Sequence, residues 1–201
     1  ADITPSETVW LHGWGMRDKP MQGISHPIYA KALALRDGTG PAAVLVTADL
    51  LGFSRVMTRT LANRLGRRFG LDRAHLVLNA SHNHSGPVTA GVLPLYFDLT
   101  PEFQAKRDRY TRWLYDRIIN LVGRALADLA PARLEFGQGL AGFAVNRRRA
   151  RAGGRGLPAV VDQDVPVLAV RGRHGELRAA VFGYACHTTC VNDDTLNGDY
   201  A

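Results

Sequence analysis

The sequence predicts a mixed α/β fold, because strand patterns and helix patterns alternate along the chain. Two segments, 55–69 and 101–129, carry apolar residues at helical spacing and predict helices. We therefore expect β-sheet with these two helices packed on it, while the order of the strands does not follow from the patterns. Apolar runs bounded by turn residues predict strands at about 28–36, 42–48, 75–80, 133–139, 164–171 and 177–185.

Length and composition are typical of one folded domain or a large part of one. The chain has 201 residues, of which 46% are hydrophobic and 21% charged, so a packed core is possible and global disorder is not expected. No apolar run approaches the roughly 20 residues that a membrane-spanning helix needs. No signal peptide is visible at the start of the sequence, where a leader can already have been removed.

The first two strands are expected to form a hairpin. Residues 28–36 alternate between apolar and small or polar side chains, and the apolar run 42–48 follows closely. Between them lies Asp37-Gly38-Thr39-Gly40, a strong turn signal. Asp49 follows the second strand, where it either starts a turn or supports a site at that edge of the sheet.

Both predicted helices begin at suitable capping residues. Ser54 can cap the helix 55–69, and Gly70 stands where a helix commonly ends on glycine. Thr100-Pro101-Glu102 combines an N-cap, a first-turn proline and an early acid, which is typical of a helix start. The loop before it, which runs to Thr100, is long enough to face a substrate.

The chain has a formal net charge of +7, and arginine supplies nearly all of the positive charge. The arginines are scattered among acids, which favours a solvated surface over a surface for nucleic acid or lipid. The densest run is Ala144 to Arg151, followed by Gly153, Gly154 and Gly156. It is an exposed basic loop, or it turns one arginine inward to hold an anionic or carbonyl oxygen.

Two histidines stand where a predicted strand ends. The strand 75–80 leads directly into Ser81-His82-Asn83-His84-Ser85-Gly86-Pro87. If this stretch is extended, both imidazoles point to the same side, since side chains alternate with period two. That arrangement suits one metal ion, or one ligand and one proton-transfer group. His187 stands at the end of the strand 177–185 in the same way, whereas His12 is expected to be structural.

Zinc is the metal that these strand ends suggest. A hydrolytic zinc site has about three protein ligands and leaves one position for water. His82 and His187 supply two nitrogens, and no third ligand is evident; Asp49, Asp162 and Asp193 are unsupported candidates. The cysteines of the chain are Cys186 and Cys190, and a disulfide, metal binding and free thiols all remain open for them.

Several short segments occur together in one order along the whole chain. With them the sequence resembles the N-terminal catalytic domain of the neutral, non-lysosomal ceramidase family. The most specific is Asn79-Ala80-Ser81-His82-Asn83-His84-Ser85-Gly86-Pro87. The others are Ala1-Asp2-Ile3-Thr4-Pro5, Gly13-Trp14-Gly15, Gly23-Ile24, Tyr29-Ala30-Lys31-Ala32, Val145-Asn146-Arg147, Cys186-His187-Thr188-Thr189 and Asn197-Gly198-Asp199-Tyr200.

The resemblance implies zinc ligation by His82 and His187, with His84 and Arg147 in the active site. The implied reaction is attack of zinc-bound hydroxide on an N-acyl sphingoid base, which releases a fatty acid and sphingosine. His84 and Arg147 would move protons or stabilise the oxyanion. The implied partner is a ceramide-like lipid at a membrane or micelle surface, with no nucleic acid. The implied location is secreted or periplasmic.

The resemblance also implies that the chain is incomplete. The remaining zinc ligands of the family, a Glu and a Tyr, lie beyond the last matching segment, so residues 1–201 are expected to form a single domain that is the front portion of a larger one. Arg148 stands where the family has serine, and Cys186 and Cys190 flank His187. Two alternatives therefore remain: a related zinc hydrolase for another acyl amide, and a non-catalytic, Arg-rich domain that binds anions or lipid.

Overall fold

A computed structural model of the protein describes residues 1–148 and 160–199. The predicted mixed α/β fold is confirmed. The rest of the basic run from Arg149 onwards and Tyr200 lie outside the described residues. The described elements are β1 (Gly23–Ile24), β2 (Ala30–Leu35), β3 (Ala43–Ala48), α1 (Arg55–Phe69), a 3₁₀ turn (Arg73–His75), β4 (Leu76–Ala80), α2 (Pro101–Ala127), β5 (Arg133–Leu140), β6 (Asp164–Arg171), β7 (Leu177–Phe182) and β8 (Thr195–Leu196).

The described chain forms two compact units. The first contains Ala1–Leu129 and Thr188–Ala201, and the second contains Ala130–His187. That residues 1–201 make up one domain stays a prediction. Within the helices of the described residues, none combines the length and apolar character needed to cross a bilayer.

In the first unit, β3 lies between β2 and β4. The strands β2 and β3 are antiparallel, so the predicted hairpin is confirmed. The strands β3 and β4 are parallel and are connected through α1, because a parallel pair needs a crossover. The carboxyl ends of both strands, at Ala48 and Ala80, therefore lie at the same edge of the sheet.

Caps and a shared core fix the two helices. The Ser54 side chain accepts a hydrogen bond from the Met57 amide at 3.1 Å, and Gly70 ends α1, as predicted. The helix α2 packs against β2 and α1. Its buried Tyr110 donates a hydrogen bond to the Ile3 carbonyl at 2.7 Å, which ties the start of the chain to α2.

The second unit is an antiparallel sheet in the order β5, β6, β7. Two predictions need correction. The strand that precedes the histidines is only partly buried, since Val77 is exposed and His75 belongs to the 3₁₀ turn. The last predicted strand ends at Phe182, earlier than expected. The short strands β1 and β8 pair in parallel and were not predicted, because two residues show no periodicity.

Candidate metal centre

The loop that carries His82 and His84 lies at the carboxyl edge of the parallel pair β3 and β4. The Ser81 amide donates to the Ala48 carbonyl at 3.1 Å, and the Asn83 amide donates to the Leu50 carbonyl at 3.0 Å. The loop after β4 therefore runs beside the loop after β3. In α/β sheets this edge is where functional groups are commonly placed.

The backbone at His82 is left-handed, with φ 61°, so the prediction of an extended His-x-His is wrong. The two rings nevertheless lie close together, with centroids 5.0 Å apart and the planes at 70°. The Nδ1 of His82 is 3.0 Å from the Leu51 carbonyl oxygen. Because a carbonyl can only accept, Nδ1 carries the hydrogen, and in the neutral ring the lone pair is therefore on Nε2.

Asn83 fixes the shape of the turn between the two histidines. Its side chain is fully buried, and its amide group donates to the carbonyls of Asn197 at 2.8 Å and Asp49 at 3.2 Å. Its side-chain oxygen accepts from the Ser85 amide at 2.8 Å. A left-handed non-glycine residue persists where its surroundings define the backbone in this way.

A segment near the start of the chain supports the same loop from another side. Leu11 forms an antiparallel bridge with Pro87, and the His12 amide donates to the Gly86 carbonyl at 2.8 Å. Gly13 has φ 97°, and a Cβ added there would lie 2.4 Å from the Cα of His84. Only glycine allows this approach to His84.

Arg17 holds the His84 backbone with a buried guanidinium group. Its side chain is 3% exposed. One nitrogen donates to the His84 carbonyl at 3.3 Å, and another donates to the Asp193 carbonyl at 2.8 Å and the Asp194 carboxylate at 3.1 Å. Burial lowers the pKa of Arg17, and the Asp194 charge opposes that shift. Arg17 therefore joins the histidine loop to residues 193–194.

Thr188 fixes the chain next to His187. Its hydroxyl lies 2.6 Å from the His82 carbonyl and donates to it. Thr188 therefore ties the segment that follows His187 to the His82 loop. His82, His84 and His187 each offer one ring nitrogen, and these three atoms all lie within 4.8 Å of one another.

Arg147 lies beside His187, with its Nη2 2.8 Å from the His187 Nδ1. A guanidinium group only donates, so Nδ1 accepts and the ring hydrogen of a neutral His187 is on Nε2. A neutral imidazole has one nitrogen lone pair, and Arg147 occupies it. Metal binding by His187 therefore requires the loss of this contact, whichever ring nitrogen binds the ion.

The acids considered as third ligands bind nearby backbone groups instead. Asp49 accepts from the Tyr29 amide at 2.8 Å, Asp162 from Asp164 at 3.0 Å and Asp193 from Thr195 at 3.0 Å. Burial raises the pKa of the Asp49 carboxyl. Among the described residues, the three histidines form the group that can hold a metal, which makes His84 a candidate third ligand.

Three supporting residues, Arg17, Asn83 and Thr188, were missed by the sequence reasoning. The contacts of Arg17 and Thr188 with the histidine loop join residues far apart in sequence, so no local pattern reveals them. Asn83 lies inside the segment Asn79 to Pro87, and its position between two histidines was the sequence feature that could have indicated its supporting role. The predicted roles of His82, His84, Arg147 and His187 stay predictions.

Fold and site together define an α/β protein with three histidines that can hold one metal ion. The chain belongs to the neutral/alkaline non-lysosomal ceramidase family, because the model for the N-terminal region of that family matches residues 1–199.

Known relatives agree with this assignment. The neutral ceramidase of Pseudomonas aeruginosa is 29% identical over 203 residues, which cover 96% of this chain and 30% of that protein. A crystal structure of neutral ceramidase from the same organism matches with a TM-score of 0.85 and 25% identity, over 98% of this chain and 33% of that one. A ceramidase complexed with C2 shares the fold, with a TM-score of 0.79 and 23% identity, over 98% and 32% of the two chains. The chain thus spans about a third of the length of these relatives.

Proposed function

We propose that this chain is the front part of a zinc-dependent amide hydrolase that cleaves N-acyl sphingoid bases to a fatty acid and sphingosine. The observation that carries the proposal is the group of three histidines in a member of the ceramidase family. The ceramidase names of its relatives support the substrate class. Metal ligands from outside the described residues would complete the site. We also propose that the protein is secreted or periplasmic.

The donor set suits zinc. Imidazole nitrogens are common zinc ligands, and second-shell hydrogen bonds normally orient them. His82 meets the second condition, because its Nδ1 is held by the Leu51 carbonyl. When bound, zinc would supply a Lewis acid and an activated water.

The residues of this chain would do the remaining work. His84 is buried beside His82, which suits it to ligate the ion or to exchange a proton with the scissile amide. Arg147 is a permanent cation and is exposed. Once released from His187 by the metal, its guanidinium group could donate to the oxygen that gains negative charge as the amide is attacked.

The test measures zinc content and hydrolysis of a fluorogenic N-acyl sphingosine on the intact protein, including any sequence beyond residues 1–201. We expect His82→Ala and His187→Ala to lose metal and activity together, because each removes a ligand. His174→Ala is the matched control, since His174 lies in an exposed turn of the second unit. Arg147→Gln should keep zinc, because it removes the guanidinium group that competes with the metal for His187. It should lose activity, because the same guanidinium group is the proposed donor to the oxyanion.

Three outcomes would contradict the proposal: a protein without zinc, ligand variants as active as the parent, or a parent that hydrolyses no N-acyl amine. The parent should also be assayed with simple N-acyl amines, since activity on those alone would indicate a related hydrolase for another acyl amide. Salt-sensitive binding of anionic vesicles that does not depend on His82 or His187 would indicate the non-catalytic alternative.

A further inference from the structure

His12 lies on the face of its segment that is turned away from the hydrophobic core. Val9 and Leu11 are buried in the core of the first unit. Side chains alternate along an extended segment, so Trp10 and His12 point the other way. Both contact Phe97, with ring centroids 6.0 Å and 6.2 Å from it. The His12 side chain is therefore buried outside the hydrophobic core cluster of the first unit.

This imidazole is buried without a hydrogen-bond partner. His12 is 1% exposed, and neither ring nitrogen has a partner anywhere in residues 1–148 and 160–199. The same holds for the indole nitrogen of Trp10. A buried polar group without a partner costs about 1–3 kcal/mol, so an apolar side chain would be more stable under Phe97. Each buried polar group left unpaired in this way calls for an explanation, and a hydrogen-bonding ligand is one.

The position of His12 places it beside the candidate metal centre. Its backbone amide is bonded to Gly86, and the next residue, Gly13, touches His84 directly. Burial, followed by smaller contributions from the charges of His84 and His82, lowers the pKa of His12 to about 4. The ring is therefore neutral near pH 7, with one nitrogen that donates and one that accepts.

We propose that His12 binds a hydroxyl group of the substrate next to the scissile amide. A hydroxyl both donates and accepts, which matches the two nitrogens of a neutral imidazole, and the Trp10 N–H offers a second donor on the same face. The substrate class is an N-acyl amino alcohol, whose hydroxyl would lie beside the His12 ring that Phe97 contacts. This inference rests on the proposed function and adds a specificity residue to it.

The test compares two substrates that differ only in that hydroxyl: an N-acyl 2-amino alcohol and the same N-acyl amine without the hydroxyl. The variants are His12→Phe, which keeps an aromatic ring and removes both nitrogens, and His12→Asn, which restores a donor and an acceptor. His26→Phe is the matched control, because His26 is an exposed histidine of the same unit. Each variant is first checked for cooperative unfolding and zinc content.

We expect the parent to prefer the hydroxylated substrate by about 10-fold or more in kcat/KM, since a site built to bond a hydroxyl rejects an analogue that lacks it. His12→Phe should reduce the preference to about 2-fold or less by slowing only the hydroxylated substrate, and His12→Asn should regain part of it. A His12→Phe protein with the preference of the parent would overturn the inference and leave the proposed function intact. A parent that hydrolyses neither substrate would overturn both.

Discussion

Replacing Gly13 with alanine tests whether the first segment positions His84. The added methyl would lie 2.4 Å from the Cα of His84, about 1.1 Å short of the roughly 3.5 Å at which carbon atoms pack. The nearest atoms belong to the backbone and the Cβ of His84, so no flexible side-chain end can yield. Either the His84 loop or the segment around Gly13 must move.

Two costs add in this variant. The backbone at Gly13 has φ 97°, and a positive φ costs an alanine about 1–2 kcal/mol. Forcing the methyl against His84 costs roughly a further 1–3 kcal/mol, as overpacking does in cores. Gly38→Ala is the control that has only the first of these two costs. Gly38 lies in the same unit with φ 51°, and its added Cβ would meet nothing within 4 Å.

The assay is zinc affinity by competition with a chelator, together with the midpoint of thermal unfolding. We expect Gly13→Ala to weaken zinc binding about 10-fold to 100-fold, the usual effect of disturbing a group that orients a ligand. Gly38→Ala should bind zinc like the parent and lose less stability. Equal zinc affinity and equal stability in the two variants would refute the reasoning that the approach of Gly13 holds His84 in place.

Two further predictions concern buried cationic or titratable groups of the same unit. Arg17→Ala should cost about 1–3 kcal/mol of stability and weaken zinc binding, because it leaves the Asp194 and His84 acceptors without their buried donor. Lys19→Ala, which removes an exposed partner of the same Asp194, should change little in both measurements. The pKa of His12 is lowered to about 4, below its unfolded value of about 6.5, so the unfolded chain binds the proton first and stability should fall by about 3 kcal/mol as the pH drops from 6.5 to 4. Denaturant titrations at both pH values should show a smaller fall in His12→Phe, and an equal fall would contradict the burial argument.

Local patterns were sufficient to predict most of the helices and strands, but not the order of the strands or their division into separate sheets. The helix α1 was predicted correctly because Ser54, the apolar spacing and Gly70 all agree on the same bounds. The hairpin of β2 and β3 was predicted because the turn between them has a strong signature of its own. By contrast, the pairing of β1 with β8 joins residues far apart in the chain, and no pattern in two residues announces it.

The site was predictable where chemistry is concentrated in one stretch. His82 and His84 follow a strand end, and the sequence placed them there; the φ of 61° at His82 was not foreseen, because it depends on the bonds of Asn83 to Asp49 and Asn197. Nor could the sequence show that Arg147 occupies the His187 lone pair. Such contacts depend on tertiary structure, and residue type alone does not reveal them.

The contacts around the histidines have a consequence for how the site responds to mutation. The histidine loop is held by polar bonds from Arg17, Asn83 and Thr188, and these bonds are distinct from the apolar contacts between α1 and α2 that make up much of the core. Loss of one such bond should therefore displace the ligands before it unfolds the helices. Variants at these three positions should lose zinc affinity by a larger factor than their stability predicts, whereas core variants in α1 should lose both together.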